Sequence, residues 1–518
     1  MRTPFANRRE FLAAASALSL AACSRNAGPG GDDAILRVAL ASAPDTLDPL
    51  RGQLAVSALM FKQLHAPLTE YAPSGGVAPG LADGWRSDDG QLWIFRLNPD
   101  LVWSDGTPLT SEDVVWTAQR AVDPMTGFAD LGDFFAVEGA REAVAGERPP
   151  EDIAVEAPDP RTVVFRLNQP VGLFPVFMRE FYPLPRHAIE PAPEAWTRAA
   201  GWVSAGPYVL AAHEEGRYLL RRNRNFHAAQ SVSIPQIEVE VVENAEARAQ
   251  RFRAGEFDIC EQPPAGEISA LKAEFGPELH SFNAPTLTYL KLNHSRAPLN
   301  DLRVRQAISL SIDRAFLSDT LFDAEASPTE TVIPADARPA PADLDTAGAL
   351  LAAAGYGPER PLRLDLRLIA GGRERMAAAI MRDLARVHVE LNLVPSEALD
   401  MFAAVDAGDF DLSLSRFDRG LKSDPNFMLQ PFGPDGFADD GGWSGLVRED
   451  FDLLMTQARA TINANARAEL YRRAEQLLLA EQAIVPLLHE RTFWLIGDRV
   501  EGWRQEIPPM LWRDLDLD

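Results

Sequence analysis

Cysteine is scarce in this sequence. Only Cys23 and Cys260 occur in 518 residues, so there is no disulfide framework of the kind that staples small secreted domains. Long apolar runs are scarce too: beyond the N-terminal region no segment approaches the roughly 18 apolar residues of a membrane-spanning helix. Basic residues are outnumbered, with 50 Lys and Arg against 75 Asp and Glu and a formal charge of −25. Nucleic acid is therefore excluded as a partner, because its phosphates demand a basic surface, and adhesion to anionic lipid through the protein surface is disfavoured. The eight histidines stand at 65, 187, 213, 227, 280, 294, 388 and 489, with no two at the spacing of a zinc site or an HExxH protease. No GxxxxGK phosphate loop, GxSxG elbow or dinucleotide fingerprint occurs. Nucleotide hydrolysis, serine hydrolysis and hydride transfer thus lack a carrier. No catalytic residue, metal or cofactor is expected, and the chain is not expected to be an enzyme.

What is present is a long, well-packed sequence. With 46% apolar and 24% charged residues it reads as globular, and its length exceeds what one hydrophobic core usually holds, so two or three lobes are expected. Residues 1–22 read as a targeting segment. Arg8 and Arg9, followed by Glu10-Phe11-Leu12 and an apolar run to Ala22, resemble a twin-arginine export signal, and Leu20-Ala21-Ala22-Cys23 resembles a lipobox in which Cys23 is acylated. The run 11–22 is too short to span a bilayer of about 30 Å. Removal of three Arg and one Glu with this segment takes the formal charge from −25 to −27. Residues 23–34 form a lipidated, Gly-rich tether, and Cys260, left without a partner, reads as a buried apolar residue.

Local rules agree best in WSDGTPLTSEDVVWTAQR, residues 103–120. Residues 91–97 alternate long apolar with polar side chains as a half-buried strand does, and Ser104-Asp105-Gly106 supplies a turn. Thr110 is placed as a helix N-cap with Asp113 completing a capping box, and Val114, Val115, Ala118 and Val122 follow at helical spacing. Elsewhere, strands are expected at 36–41, 162–167, 208–210, 218–222, 237–242, 363–369 and 410–414. Helices are expected at 56–64, 245–254, 347–354, 376–387 and 467–482, with Asp301 capping another. The βα alternation late in the chain predicts a partly parallel sheet.

The run WSDGTPLTSEDV resembles the signature of the extracytoplasmic solute-binding proteins of ABC importers, in the family that binds peptides, nickel and related solutes (family 5). The resemblance continues through Leu47-Asp48-Pro49, Ala205-Gly206-Pro207-Tyr208, the stretch LNDLRVRQA at 299–307 and Ile484-Val485-Pro486, and so covers nearly the whole mature chain. Ala188-Ile189-Glu190 and the stretch RAGEFD at 253–258 most resemble the oligopeptide binders. The resemblance implies an α/β, two-lobed periplasmic-binding-protein fold (type II, cluster C) with a hinge and an accessory lobe. Lobe I would comprise 35–74, 200–285 and 485–518, the mostly β accessory lobe II 75–199, and lobe III 286–484. Crossings near 285–292 and 484–488 would make the hinge. The implied function is that of a lipid-anchored, monomeric extracytoplasmic subunit that captures peptides between two lobes and delivers them to ABC permease subunits in the membrane. A sugar-like or acidic small solute is an alternative, and a chaperone, scaffold or hydrolase is an alternative of another class.

In related peptide binders an Asp in the loop after one strand pairs the ligand's α-ammonium, shortly before an acidic-Pro pair. The matching loop here is placed at 415–425, after a strand at 410–414. Phe417 takes the aromatic place and Asp424-Pro425 the acidic-Pro pair, but the slot expected for the Asp falls at Gly420 and the loop is one residue longer. Asp418 is the nearest carboxylate and Asp424 the second choice, with Arg416 and Arg419 beside them. The resemblance also places Phe128, Phe134, Phe135, Tyr289 and Trp443 in segments that face the ligand.

Overall fold

The computed structural model describes residues 34–72, 76–127, 134–198, 202–264, 267–284, 286–321, 326–335, 338–370, 373–418, 424–433, 446–503 and 511–518. Cys23, Arg8, Arg9, Phe128, Arg419, Gly420, Trp443 and Pro285 lie outside them, as does the tether apart from Ala34.

The organising element is a single strand, Ile484–Ile496, thirteen residues long. Its first half pairs with Thr286–Leu292 and Ala326–Pro328, and its second half with Leu279–Asn283 and Ile259–Glu261. It therefore belongs to two half-sheets at once, within a twelve-stranded sheet. On one side lie Ile35–Leu40, Gln236–Val241, Arg217–Arg222 and Tyr208–Glu214; on the other lie Leu412–Asp418, Leu362–Ile369 and Val389–Ser396. The strand runs on past the expected 484–488, and its pairing passes from one half-sheet to the other at Glu490. Ile484-Val485-Pro486 starts a continuous strand because every residue from Ile484 to His489 is buried and apolar or hydrogen-bonded.

Each half-sheet has its own core. In the distal half, Leu362, Leu364, Leu366 and Leu368 are buried in alternation with Arg363 and Asp365, the period of two of a strand. Leu362–Ile369 runs parallel to Val389–Ser396, joined by the helix Glu374–Ala385, whose Met376, Ala377, Ile380 and Leu384 face inward. This is the expected βα crossover of a partly parallel sheet.

The stretch that the sequence marked most clearly folds as read. The strand Leu92–Leu97, the turn at Gly106 (φ +88°) and the helix Ser111–Val122 follow one another, and the Asp113 carboxylate accepts from the Thr110 N–H at 2.9 Å. This region builds a four-stranded antiparallel sheet of Ala82–Arg86, Leu92–Leu97, Thr162–Arg166 and Val155–Asp159. One apolar cluster runs without a break from this sheet, through Phe95, Phe165 and Phe174, to Leu36, Val38, Ile237 and Tyr208 of the large sheet. Gly206, just before the strand Tyr208–Glu214, packs directly against the end of the helix Ala55–Leu64. A Cβ there would collide with the backbone of Leu64 and His65, so only glycine fits. His65 is fully buried in an aromatic box, with Trp202, Tyr182 and Trp196 ring centroids 5.5, 5.9 and 6.2 Å away.

One local expectation is corrected. The strand expected at 410–414 instead spans Leu412–Asp418, so Arg416, Phe417 and Asp418 are strand residues and not part of a loop. Pairing decides this: Leu412 to Asp418 match Leu292 back to Thr286 residue for residue, and that ladder overrides the weak strand preference of Arg and Asp.

Candidate ligand-binding site

The charged residues near the crossing converge on Glu490. Its backbone ties the two halves together, because its N–H donates to Thr286 Oγ1 at 2.9 Å and its carbonyl accepts from Ala284 N–H at 3.1 Å. Its neighbour His489 is buried between the carbonyls of Thr286 and Thr331. The Glu490 side chain stays about one-third exposed and receives Arg416 in a fork, Nε to Oε1 and Nη2 to Oε2, both at 2.7 Å. Arg373, at the start of the helix Glu374–Ala385, adds a contact at 3.3 Å. Arg416 Nη2 also reaches Asp418 at 3.0 Å. Two guanidiniums and two carboxylates thus form one half-exposed network at the hinge. The Glu490 bonds raise the pKa of Arg416, while burial lowers that of Arg373.

Asp418 is 46% exposed and engaged by Arg416. Asp424 accepts from the Asn426 N–H at 2.9 Å as the N-cap of Pro425–Leu429, which gives it a structural task. Phe417 and Tyr289 are 4% and 3% exposed and pack with Phe432 in an apolar cluster, with ring centroids 5.6 to 6.0 Å apart. In this conformation they support the strand and do not line an open surface. Phe134 is likewise buried, stacked on Phe181 at 5.6 Å, whereas Phe135 is half-buried and carries the Arg141 guanidinium 4.6 Å above its ring. Sequence reasoning missed Arg373 and Glu490. Nothing local marks them, since Glu490 is one acid in a strand and Arg373 one base before a helix.

A second concavity opens between segments that flank the four-stranded sheet and the helix Leu446–Ala460. It has a volume of about 590 Å³ and is lined by Phe135, Arg141, Asn168, Gln169, Gln430 and Arg459. Among the described residues no group of three or more His, Cys, Asp or Glu is arranged to hold a metal, and no helix is long and apolar enough to cross a membrane. Cys260 is buried, its thiol pushed up to about 12 by desolvation.

The family description of bacterial extracellular solute-binding proteins, family 5 (middle region), matches residues 76–439. The chain belongs to that family. It is 29% identical over 482 residues, 89% of either chain, to YgiS of Escherichia coli (strain K12), named as a probable deoxycholate-binding periplasmic protein. Its fold superposes with a TM-score of 0.86 on the periplasmic murein tripeptide-binding protein MppA in its unliganded open form, at 23% identity over 94% of this chain and 98% of that one. Against Haemophilus influenzae OppA in complex with the peptide RPPGFSPFR the TM-score is 0.66, at 24% identity over 94% and 99% of the chains. The two-lobed α/β fold expected from the resemblance is therefore the fold of this solute-binding protein, whose relatives are binding proteins and not enzymes.

Proposed function

We propose that this solute-binding protein captures peptides between lobe I (35–74, 200–285, 485–518) and lobe III (286–484) and delivers them to ABC permease subunits. Lobe II (75–199) rides on lobe I. The observation that carries this reading is the strand Ile484–Ile496, shared by both half-sheets, with a half-exposed charged network at its midpoint. Two segments joining two lobes make a hinge that closes on a ligand. The better superposition on an unliganded open relative than on a peptide complex supports an open arrangement here.

Arg416, Asp418 and Glu490 form the ligand-reading region in this proposal, with Asp424, Arg419, Gly420, Phe128 and Trp443 as further candidates from the resemblance, while Phe417 and Tyr289 support its strands. Asp418, the most exposed carboxylate of the network, reads the ligand's ammonium. The monomeric protein is held extracytoplasmically at a membrane by lipid on Cys23 after export directed by Arg8 and Arg9, which agrees with periplasmic relatives. Calorimetry on one peptide with a free and an acetylated N-terminus tests the reading. Asp418→Asn should weaken the free peptide by about 2 kcal/mol, the cost of breaking a desolvated charge pair, and the acetylated one much less.

A second reading, an acidic non-peptide solute, is favoured by Arg416, which already neutralises Asp418, and by the deoxycholate relative. Equal affinity of the wild type for both peptides would select it.

A further inference from the structure

We propose that lobe II (75–199) gives lobe III a second pivot at Gly172, so that lobe III turns only about the line from Glu490 to Gly172. This device rests on the lobe division and the closure put forward above, and it gives the accessory lobe a task of its own in the motion.

Backbone meets backbone at the second pivot. The Gly172 N–H donates to the Arg459 carbonyl, at the end of the helix Leu446–Ala460, at 2.6 Å. The place that a Cβ of residue 172 would take is filled by the peptide group between Thr461 and Ile462. Gly172 is not in the left-handed region, so close approach alone calls for glycine there. Beside it Gly90, whose carbonyl accepts from the Val171 N–H at 2.8 Å, has its Cβ position 3.6 Å from the Ala460 carbonyl oxygen.

Side chains extend the contact. Phe177 of lobe II and Phe427 of lobe III are both buried, with ring centroids 6.0 Å apart. Phe427 belongs to the apolar cluster that lobes I and II share, whereas its neighbours Met428 and Leu429 belong to a cluster of lobe III. The short helix Pro425–Leu429 therefore stands in two cores, and parting the lobes here would return both rings to water.

Lobe II is in turn fixed on lobe I. The shared cluster is one bond, the ion pair of buried Lys62 with Glu180 at 2.8 Å a second, and the Thr69 Oγ1–H donating to the Pro175 carbonyl at 2.7 Å a third. Lobes I and II thus act as one body, which lobe III touches at the strand crossing and at Gly172. A body held at two points keeps one rotation, about the line between them. A 2.6 Å bond with no room for a methyl group cannot follow a swing off that line and would break.

Native-state hydrogen exchange of the unliganded protein, followed by NMR, tests this. Exchange through a partial opening is limited by the free energy of that opening, and closure is a low-energy motion because a bound solute can drive it. A bond broken on closing would therefore exchange far faster than one inside a lobe. The Gly172 amide should be protected to within about tenfold of the Leu167 amide, which donates to the Gln91 carbonyl at 2.8 Å inside lobe II. Gly172→Ala should lower the protection of amide 172 about tenfold or more, whereas Gly84→Ala, whose added Cβ meets nothing within 4 Å, should leave it unchanged. Phe427→Leu, a milder change, should act in the same direction as Gly172→Ala and serves if that variant does not fold. A Gly172 amide that exchanges about a hundredfold faster than that of Leu167 would overturn the proposal, since lobe III would then swing free of lobe II. Unchanged protection in both Gly172→Ala and Phe427→Leu would overturn it too. No ligand enters the measurement, so either result is separate from whether the solute is a peptide.

Discussion

Arg416 grips Glu490 through two hydrogen bonds of 2.7 Å, and Glu490 is the residue at which the long strand passes from one half-sheet to the other. Because a fork on a carboxylate needs the guanidinium plane, lysine cannot replace it. Arg416→Ala leaves Glu490 with Arg373 alone, and since these groups are nearly one-third exposed the loss should be about 1 kcal/mol. Arg416→Lys should recover only part of it. Urea midpoints of the two variants check this, and midpoints equal to the wild type would contradict it.

Gly206→Ala should be far more damaging than a surface substitution. The added Cβ meets Leu64 and His65 backbone, which cannot turn aside as a side chain would, so a cost of 1–3 kcal/mol or more is expected. Gly255→Ala is the control, because a Cβ there meets no atom within 4 Å and only its left-handed backbone is strained. A thermal melt of both variants separates collision from strain; Gly206→Ala melting above Gly255→Ala would refute the close-approach account.

Burial holds the His65 imidazole down at about 4, against a weak opposing bond to the Leu47 carbonyl at 3.3 Å. Its folded pKa lies below its unfolded one, so the unfolded chain binds the proton first. Stability from this residue is complete above about pH 6.5 and is lost as pH falls towards 4, by about 3 kcal/mol. His294, also held at about 4 mainly by desolvation, acts in the same direction. Urea titrations at pH 7 and 4.5 should differ less in His65→Gln than in the wild type. An NMR titration that protonates His65 near 6.5 in the folded protein would contradict the assignment.

The proposed lipidation gives a cellular prediction. Cys23→Ala should move the protein from the membrane fraction to the soluble one, and replacement of Arg8 and Arg9 by Lys should leave precursor in the cytoplasm. Membrane retention of the first variant would rule out the anchor, and normal maturation of the second would point to the general secretory route.

The sequence made some parts of this fold legible because they are encoded locally. The capping box of Thr110 and Asp113, the turn at Gly106 and the strand expected at 363–369, observed as Leu362–Ile369, each lie within a few residues, and each is found where it was expected to within a residue. The strand Leu412–Asp418 was misplaced, and the full reach of Ile484–Ile496 was missed, because both are fixed by partners more than a hundred residues away. The site suffers most from this distance. Arg373, Arg416 and Glu490 are separated by more than forty residues from one another, and only the sheet brings them together. Phe417 and Tyr289 illustrate the opposite error: an aromatic beside a binding segment is as readily a support for it as a surface.

Small-angle scattering with and without a saturating peptide tests the central claim most directly. Rotation of the two lobes about the strand crossing at 488–491 should bury the peptide and lower the radius of gyration. Identical scattering curves, with binding of the same peptide established by calorimetry, would contradict capture by closure.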